Sequence, residues 1–172
     1  AYIKNILKAN DNRWLAYTSK VLTVFLYAVM FMILTFLVNV FCGAVMCKSF
    51  EMGIDGNFFK YVGLQLLLTF GMCAITGLVA MLTNTGLGMV FAIVAGSGLL
   101  NLVYMLIDIL VNYAILGDGD FSLSDYLITG NVAAMTLESS GSDIVRAVIV
   151  AIAFIAVGFG VGGFYNSKRD IH

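Results

Sequence analysis

Gly117-Asp118-Gly119-Asp120 is the densest run of reactive side chains in the chain, and its pattern touches two kinds of chemistry. The short GxGD arrangement can serve aspartyl catalysis within a membrane, where two facing carboxylates share a proton and activate water. The second carboxylate is the difficulty. Asp108 is the one candidate, and it lies on the same side of the same segment. Asp118, Asp120 and Ser122 also alternate as in a calcium loop, but the sixth position is Leu123 instead of glycine and the twelfth is Thr129 instead of glutamate. A glycine-rich acidic turn accounts for the run. No GxxxxGK[ST] loop occurs, and His172 is the sole histidine, so neither a P-loop nor an HExxH zinc site is present. We assign no catalytic residue and no metal ligand, and we expect the chain not to be an enzyme by itself.

The remaining polar side chains of interest lie in apolar surroundings. Asn39, Gln65 and Asn101 interrupt otherwise apolar runs. In lipid such amides must face protein or a water-filled path, as interhelical hydrogen bonds or as contacts to a substrate. Near the start, Ile3, Ile6 and Leu7 share one helical face while Lys4 and Lys8 stack on another. That segment suits either a helix lying at a membrane surface, anchored by Trp14, or a docking helix for a partner.

The elements that must position these residues follow from charge. No charged side chain falls between Lys60 and Asp108, between Lys20 and Lys48, or between Arg146 and Lys168. A hydrocarbon core about 30 Å thick takes about 20 apolar residues as a helix. The longest run therefore holds two spans with a turn at Thr83-Asn84-Thr85-Gly86, and the other two hold one each. The expected fold is an all-α, polytopic transmembrane bundle. Its four spans lie at about 21–47, 61–82, 86–108 and 147–166, after an amphipathic cytoplasmic segment over 1–20. The acidic connection 109–146 carries Leu123, Leu127, Ala134 and Leu137 at helical spacing, which predicts one or two short external helices on the surface of the bundle.

Composition agrees: 61% of residues are hydrophobic and 11% charged, against roughly 25% charged in soluble domains. A net charge of −1 leaves no basic face for nucleic acid. Lys4, Lys8, Arg13 and Lys20 precede the first span, and Lys168 and Arg169 follow the last, which places both chain ends in the cytoplasm. Cys42, Cys47 and Cys73 fall within spans and read as packing residues. Gly88, Ala92 and Gly96 recur every four residues, and Gly158 and Gly162 form a GxxxG pair. Both are seams for close helix packing, within the bundle or between subunits.

Ile3-Lys4-Asn5-x-Leu7, then Arg13, then Ser19-Lys20 entering a long span resembles the segment before the third helix of ABC-2 type transporter permeases. Tyr126-Leu127-x-x-Gly130-Asn131 resembles the region those proteins fold between their last two helices, and Tyr165-Asn166-Ser167-Lys168-Arg169-Asp170-Ile171 resembles their basic ending. The resemblance covers the whole chain as helices three to six of a six-helix permease, with two preceding helices absent. It implies a subunit of a bacterial cytoplasmic-membrane exporter for peptides, antimicrobials or drugs. It further implies a cytoplasmic ABC ATPase docked on Ile3, Lys4, Asn5, Ile6 and Leu7, a second permease as partner, and ATP and Mg held by the ATPase and none by this chain. The alternative is a four-span scaffold or accessory subunit without transport activity, and an intramembrane protease stands third.

Overall fold

A computed structural model describes residues 13–46, 54–83, 85–113 and 122–168. These residues form helices α1 (Arg13–Met46), α2 (Gly56–Leu82), α3 (Thr85–Gly96), α4 (Leu99–Val111), α5 (Ile128–Ala134) and α6 (Gly141–Lys168), with a 3-10 turn at Leu123–Tyr126 and no strand among them. Three helices, α1, α2 and α6, are long and apolar enough to cross a membrane, and α3 with α4 makes a fourth crossing if the bent pair is one span.

The boundaries differ from the expected spans for local reasons. α1 begins at Arg13 and has 34 residues, about 51 Å of helix. Nothing between Arg13 and Val21 is glycine or proline, so residues 13–20 are helical and continuous with the apolar run, whose candidate span starts at Tyr17. α2 starts at Gly56 because Asp55 caps it, its side chain accepting from the Phe58 N–H at 2.9 Å. α6 starts at Gly141, ahead of the apolar run at Ala147. Ser140 and Asp143 form a reciprocal cap there: Ser140 Oγ faces the Asp143 N–H at 3.4 Å, and Asp143 Oδ2 accepts from the Ser140 N–H at 3.3 Å.

The expected continuous span 86–108 is two helices bent by 67°. The Ser97 N–H closes α3 on the Ile93 carbonyl at 2.9 Å, and Gly98 then turns left-handed with φ of 79°. A side chain at position 98 would be strained there. The Asn101 N–H bonds the Gly98 carbonyl at 3.0 Å and starts α4.

α2 is the central helix. In its most apolar stretch 39% is buried within the chain, against 6% for α1. α2 and α6 run parallel, while α1 lies antiparallel to both, with Phe25 against Phe70 and Phe36 against Phe58. Two apolar cores result. Around Tyr17, Val21, Cys73 and Ala74 the rings of Phe25, Phe70 and Phe159 close the first. Leu64, Leu68, Ile128, Met135, Ala147, Val150 and Ala151 form the second, at the far end of α2. The outward side of α1 is apolar along its length, with Leu26, Phe31, Leu34 and Phe41 all exposed. A surface of that size is untenable in water and ordinary in lipid.

Small residues set the spacing of the first core. A Cβ at Gly158 would lie 2.8 Å from that of Ala74, and one at Gly162 would lie 2.6 Å from the Tyr17 ring. The Tyr17 hydroxyl fits the gap so made, 2.9 Å from the Ala74 carbonyl oxygen and 3.0 Å from that of Gly158. One phenol therefore ties α1 to both other long helices.

Candidate functional site

The acidic connection folds back onto the bundle at the end opposite Tyr17. It does not simply lie on the surface: Ile128, Thr129, Gly130 and Asn131 are buried. Four sets of polar contacts hold it. The Asp108 carboxylate, in the last turns of α4, accepts from the Leu123 N–H at 2.6 Å. The Thr129 hydroxyl donates to Tyr104 on the same helix at 3.1 Å. Gln65 of α2 donates to the Val132 carbonyl at 3.2 Å and to the Tyr61 hydroxyl at 3.4 Å. Arg146 of α6 pairs with Asp125 at 2.8 Å and with Asp143 at 3.1 Å.

Within the segment, Asn131 donates to the carbonyls of Asp125 and Leu127, both at 2.9 Å. This folds the 3-10 turn against α5. Gly130 then meets the Ser124 backbone so closely that any side chain would collide with the Ser124 carbonyl. Gly130→Ala is expected to open the turn, since the obstacle is backbone and cannot rotate away. Hydrogen exchange at the Leu123 amide, which reports the Asp108 bond, should rise at least tenfold in that variant, with exchange in α2 unchanged.

Between α4 and this segment runs an open groove of about 570 Å³. Asn101, Met105, Asp108 and Asn112 line one wall, with Ser124 and Gly130 opposite. Asn101, Met105 and Asp108 of α4, with Asn112 at its C-cap, follow a helical stripe, so the groove is a face of α4 left uncovered where α5 stops short. Asn101 Oδ1 is buried there without a hydrogen-bond partner. Asp108 has no ion-pair partner among the described residues, since the two bridges present belong to Arg146.

The polar residues singled out from the sequence do not share one site. Gln65 is buried and bonded to α5's backbone. Asn101 faces the groove. Asn39 is exposed on α1 and donates to the Thr35 carbonyl of its own helix at 2.9 Å. Of the small-residue seams, Gly158 and Gly162 pack inside the bundle and Gly88 packs on Ala80, whereas Ala92 is exposed and Gly96 has nothing near it. Ile3, Lys4, Asn5, Ile6 and Leu7 lie outside the described residues, as do Gly117 to Asp120 and Cys47. Cys73 is buried and Cys42 exposed, both as free thiols.

Asp108, Tyr17 and Arg146 carry contacts that spacing alone did not single out. A signal existed for Tyr17: Trp14, Tyr17 and Val21 share one helical face. Trp14 stacks on Phe159 with ring centroids 6.3 Å apart and covers Gly163. It thus packs α1 against α6. Among the described residues no group of three or more His, Cys, Asp or Glu side chains could hold a metal ion. No family model, curated protein or solved structure matches the chain.

Proposed function

We propose that this chain is a membrane-spanning permease subunit of an ATP-driven bacterial exporter, of the ABC-2 type that its sequence resembles. It crosses the cytoplasmic membrane four times, with α3 and α4 together as the third crossing and both ends inside. ATP and Mg belong to a separate ATPase, and a second permease completes the path for a peptide, antimicrobial or drug.

One observation carries the reading: the connection between the last two crossings folds back into the bundle beside a broken span. It leaves an open groove, mostly apolar, into which Asn101, Asp108 and Asn112 bring polar groups. A transporter needs irregular backbone and polar lining at depth, and these are tolerated in membranes where they border a cavity. α1 is an uninterrupted helix whose Tyr17 hydroxyl contacts both α2 and α6, and the proposed docking segment Ile3–Leu7 precedes it in sequence. Displacement of that segment by an ATPase would move all three long helices together.

The scaffold reading is favoured by one finding, that Asn39, Gln65 and Asn101 do not converge on a single path. Purification of the tagged protein from its own membranes in mild detergent separates the two. The permease brings down an ATPase with a P-loop in near-equal amount. A scaffold brings down none under conditions that keep other membrane complexes whole.

A further inference from the structure

We infer that the groove beside α4 is a binding site for a primary ammonium group carried on an apolar body with a second hydrogen-bond donor. Two groups of the groove define the ligand: the Asp108 carboxylate, without an ion-pair partner among the described residues, and the buried Asn101 Oδ1, without a donor. Asp108 spends one carboxylate oxygen on the Leu123 N–H and has no cation beside it among the described residues. The sequence offers none nearby, since no Lys or Arg falls between Lys60 and Arg146 while Asp108, Asp118, Asp120, Asp125, Glu138 and Asp143 do. A carboxylate so placed, on a helix with apolar flanks, attracts a cation that hydrogen-bonds to it.

Asn101 supplies the other end. Its buried Oδ1 lacks a donor, a deficit that costs stability until a ligand or water fills it. Asn101 and Asp108 are seven residues apart on one face of α4, roughly 10 Å along the axis. Met105 lies between them and offers an adaptable apolar contact. The order along the wall is therefore acceptor, apolar, carboxylate. The complementary ligand is donor, hydrocarbon of about eight carbons, ammonium. The groove's 570 Å³ falls within the roughly 300–1,000 Å³ of small-molecule sites. The inference rests on the transport reading only for what becomes of the ligand; binding itself is a property of this chain.

The test uses the full chain in phosphatidylcholine nanodiscs, labelled at its methionine methyl groups and observed by carbon-13 NMR. Met105→Leu assigns the Met105 signal, and the buried Met135 methyl reports that the fold is intact. The probe is 8-aminooctan-1-ol, compared with 1,8-octanediol, which has no charge, and with octylamine, which lacks the second donor. We expect a saturable shift of the Met105 signal with the amino alcohol, at least tenfold weaker for the diol. Asp108→Asn, which keeps the acceptor for Leu123, should erase that difference. Asn101→Ala should remove the advantage of the amino alcohol over octylamine. In discs containing phosphatidylethanolamine, a weakened response to the probe identifies the lipid's own ammonium as the occupant, and an undiminished one identifies a soluble amine. Either confirms ammonium recognition. Equal binding of amine and diol, or an Asp108→Asn variant with unchanged preference and an unmoved Met135 signal, overturns it. Because no ATPase is present, failure here leaves the permease reading standing, and loss of the ATPase partner leaves this site standing.

Discussion

Gly158→Leu is expected to separate the three long helices and to lower the melting temperature of the detergent-solubilised protein by roughly 5–10 °C. At position 158 even a Cβ would lie 2.8 Å from the Ala74 Cβ and 3.0 Å from its carbonyl carbon. The nearest obstacle is a methyl on the helix backbone, which has no rotamer to change, so α2 and α6 must move apart. Overpacking alone costs about 1–3 kcal/mol, and here it also strains the Tyr17 hydroxyl, whose two acceptors sit on the helices being pushed apart. A few kcal/mol shifts the midpoint of a chain this size by several degrees, roughly 2–4 °C for each. Gly96→Ala is the matched control. It has nothing within 4 Å, and replacing glycine in a helix should leave stability unchanged or raise it by about 0.4–1 kcal/mol. A thermal scan of both variants by intrinsic Trp14 fluorescence reads the contrast directly, since Trp14 of α1 packs against α6 at Phe159 and Gly163. Equal midpoints for Gly158→Leu and the parent would remove the close-packed seam from the account.

Ile6→Asp is expected to abolish association with the ATPase while the spans still insert. If Ile3, Ile6 and Leu7 dock as one apolar face, burying an isoleucine contributes about 1.5–3 kcal/mol. An aspartate in its place adds the cost of an unpaired buried charge. Together these predict a loss on the order of 100-fold in affinity, at about 1.4 kcal/mol for each factor of ten. Insertion should not change, because Ile6 precedes Lys8, Arg13 and Lys20 and lies outside the charge-free run Val21–Cys47 that is long enough to span. Comparing ATPase recovered with the parent and with Ile6→Asp, at equal amounts of membrane-inserted protein, measures it. Normal recovery would sink the docking segment.

How far the structure could be read in advance depended on which force sets each feature. The long helices follow from solvent, because runs without charge near α1, α2 and α6 have only one way to satisfy their backbones in lipid. The break at Ser97–Gly98 escaped because hydropathy is continuous across Val94-Ala95-Gly96-Ser97-Gly98-Leu99. A left-handed glycine leaves no mark on apolar periodicity. The stripe Gly88, Ala92, Gly96 does not pack as one seam within the chain, for a geometric reason. Each four-residue step turns about 40° around a helix, so Gly88 stays against Ala80 of α2 while Ala92 is exposed and Gly96 has nothing within 4 Å.

Polar features were harder still. The start of α6 lay in the Ser140–Asp143 cap, a readable motif masked by the acidic character of its surroundings. Asp108, in sequence only a candidate partner for the acidic run, accepts from the Leu123 N–H, a contact to a backbone group that no spacing pattern marks. Tyr17, flanked by Thr18, Ser19 and Lys20, reads as a polar stretch of an interfacial helix. Its burial depends on two glycines that lie well over a hundred residues further along the chain. Long-range fit of that kind has no local signature.

The central claim is that the segment before α1 engages an ATPase, and capture at a single position tests it most directly. A photo-activated cross-linker replacing Ile6 in the tagged protein, irradiated in intact membranes, should yield one adduct whose mass and peptides identify a P-loop ATPase. The same group at Leu34, on the apolar outward side of α1, should not yield that adduct. An Ile6 cross-linker that captures only lipid would contradict the account and leave a membrane scaffold in its place.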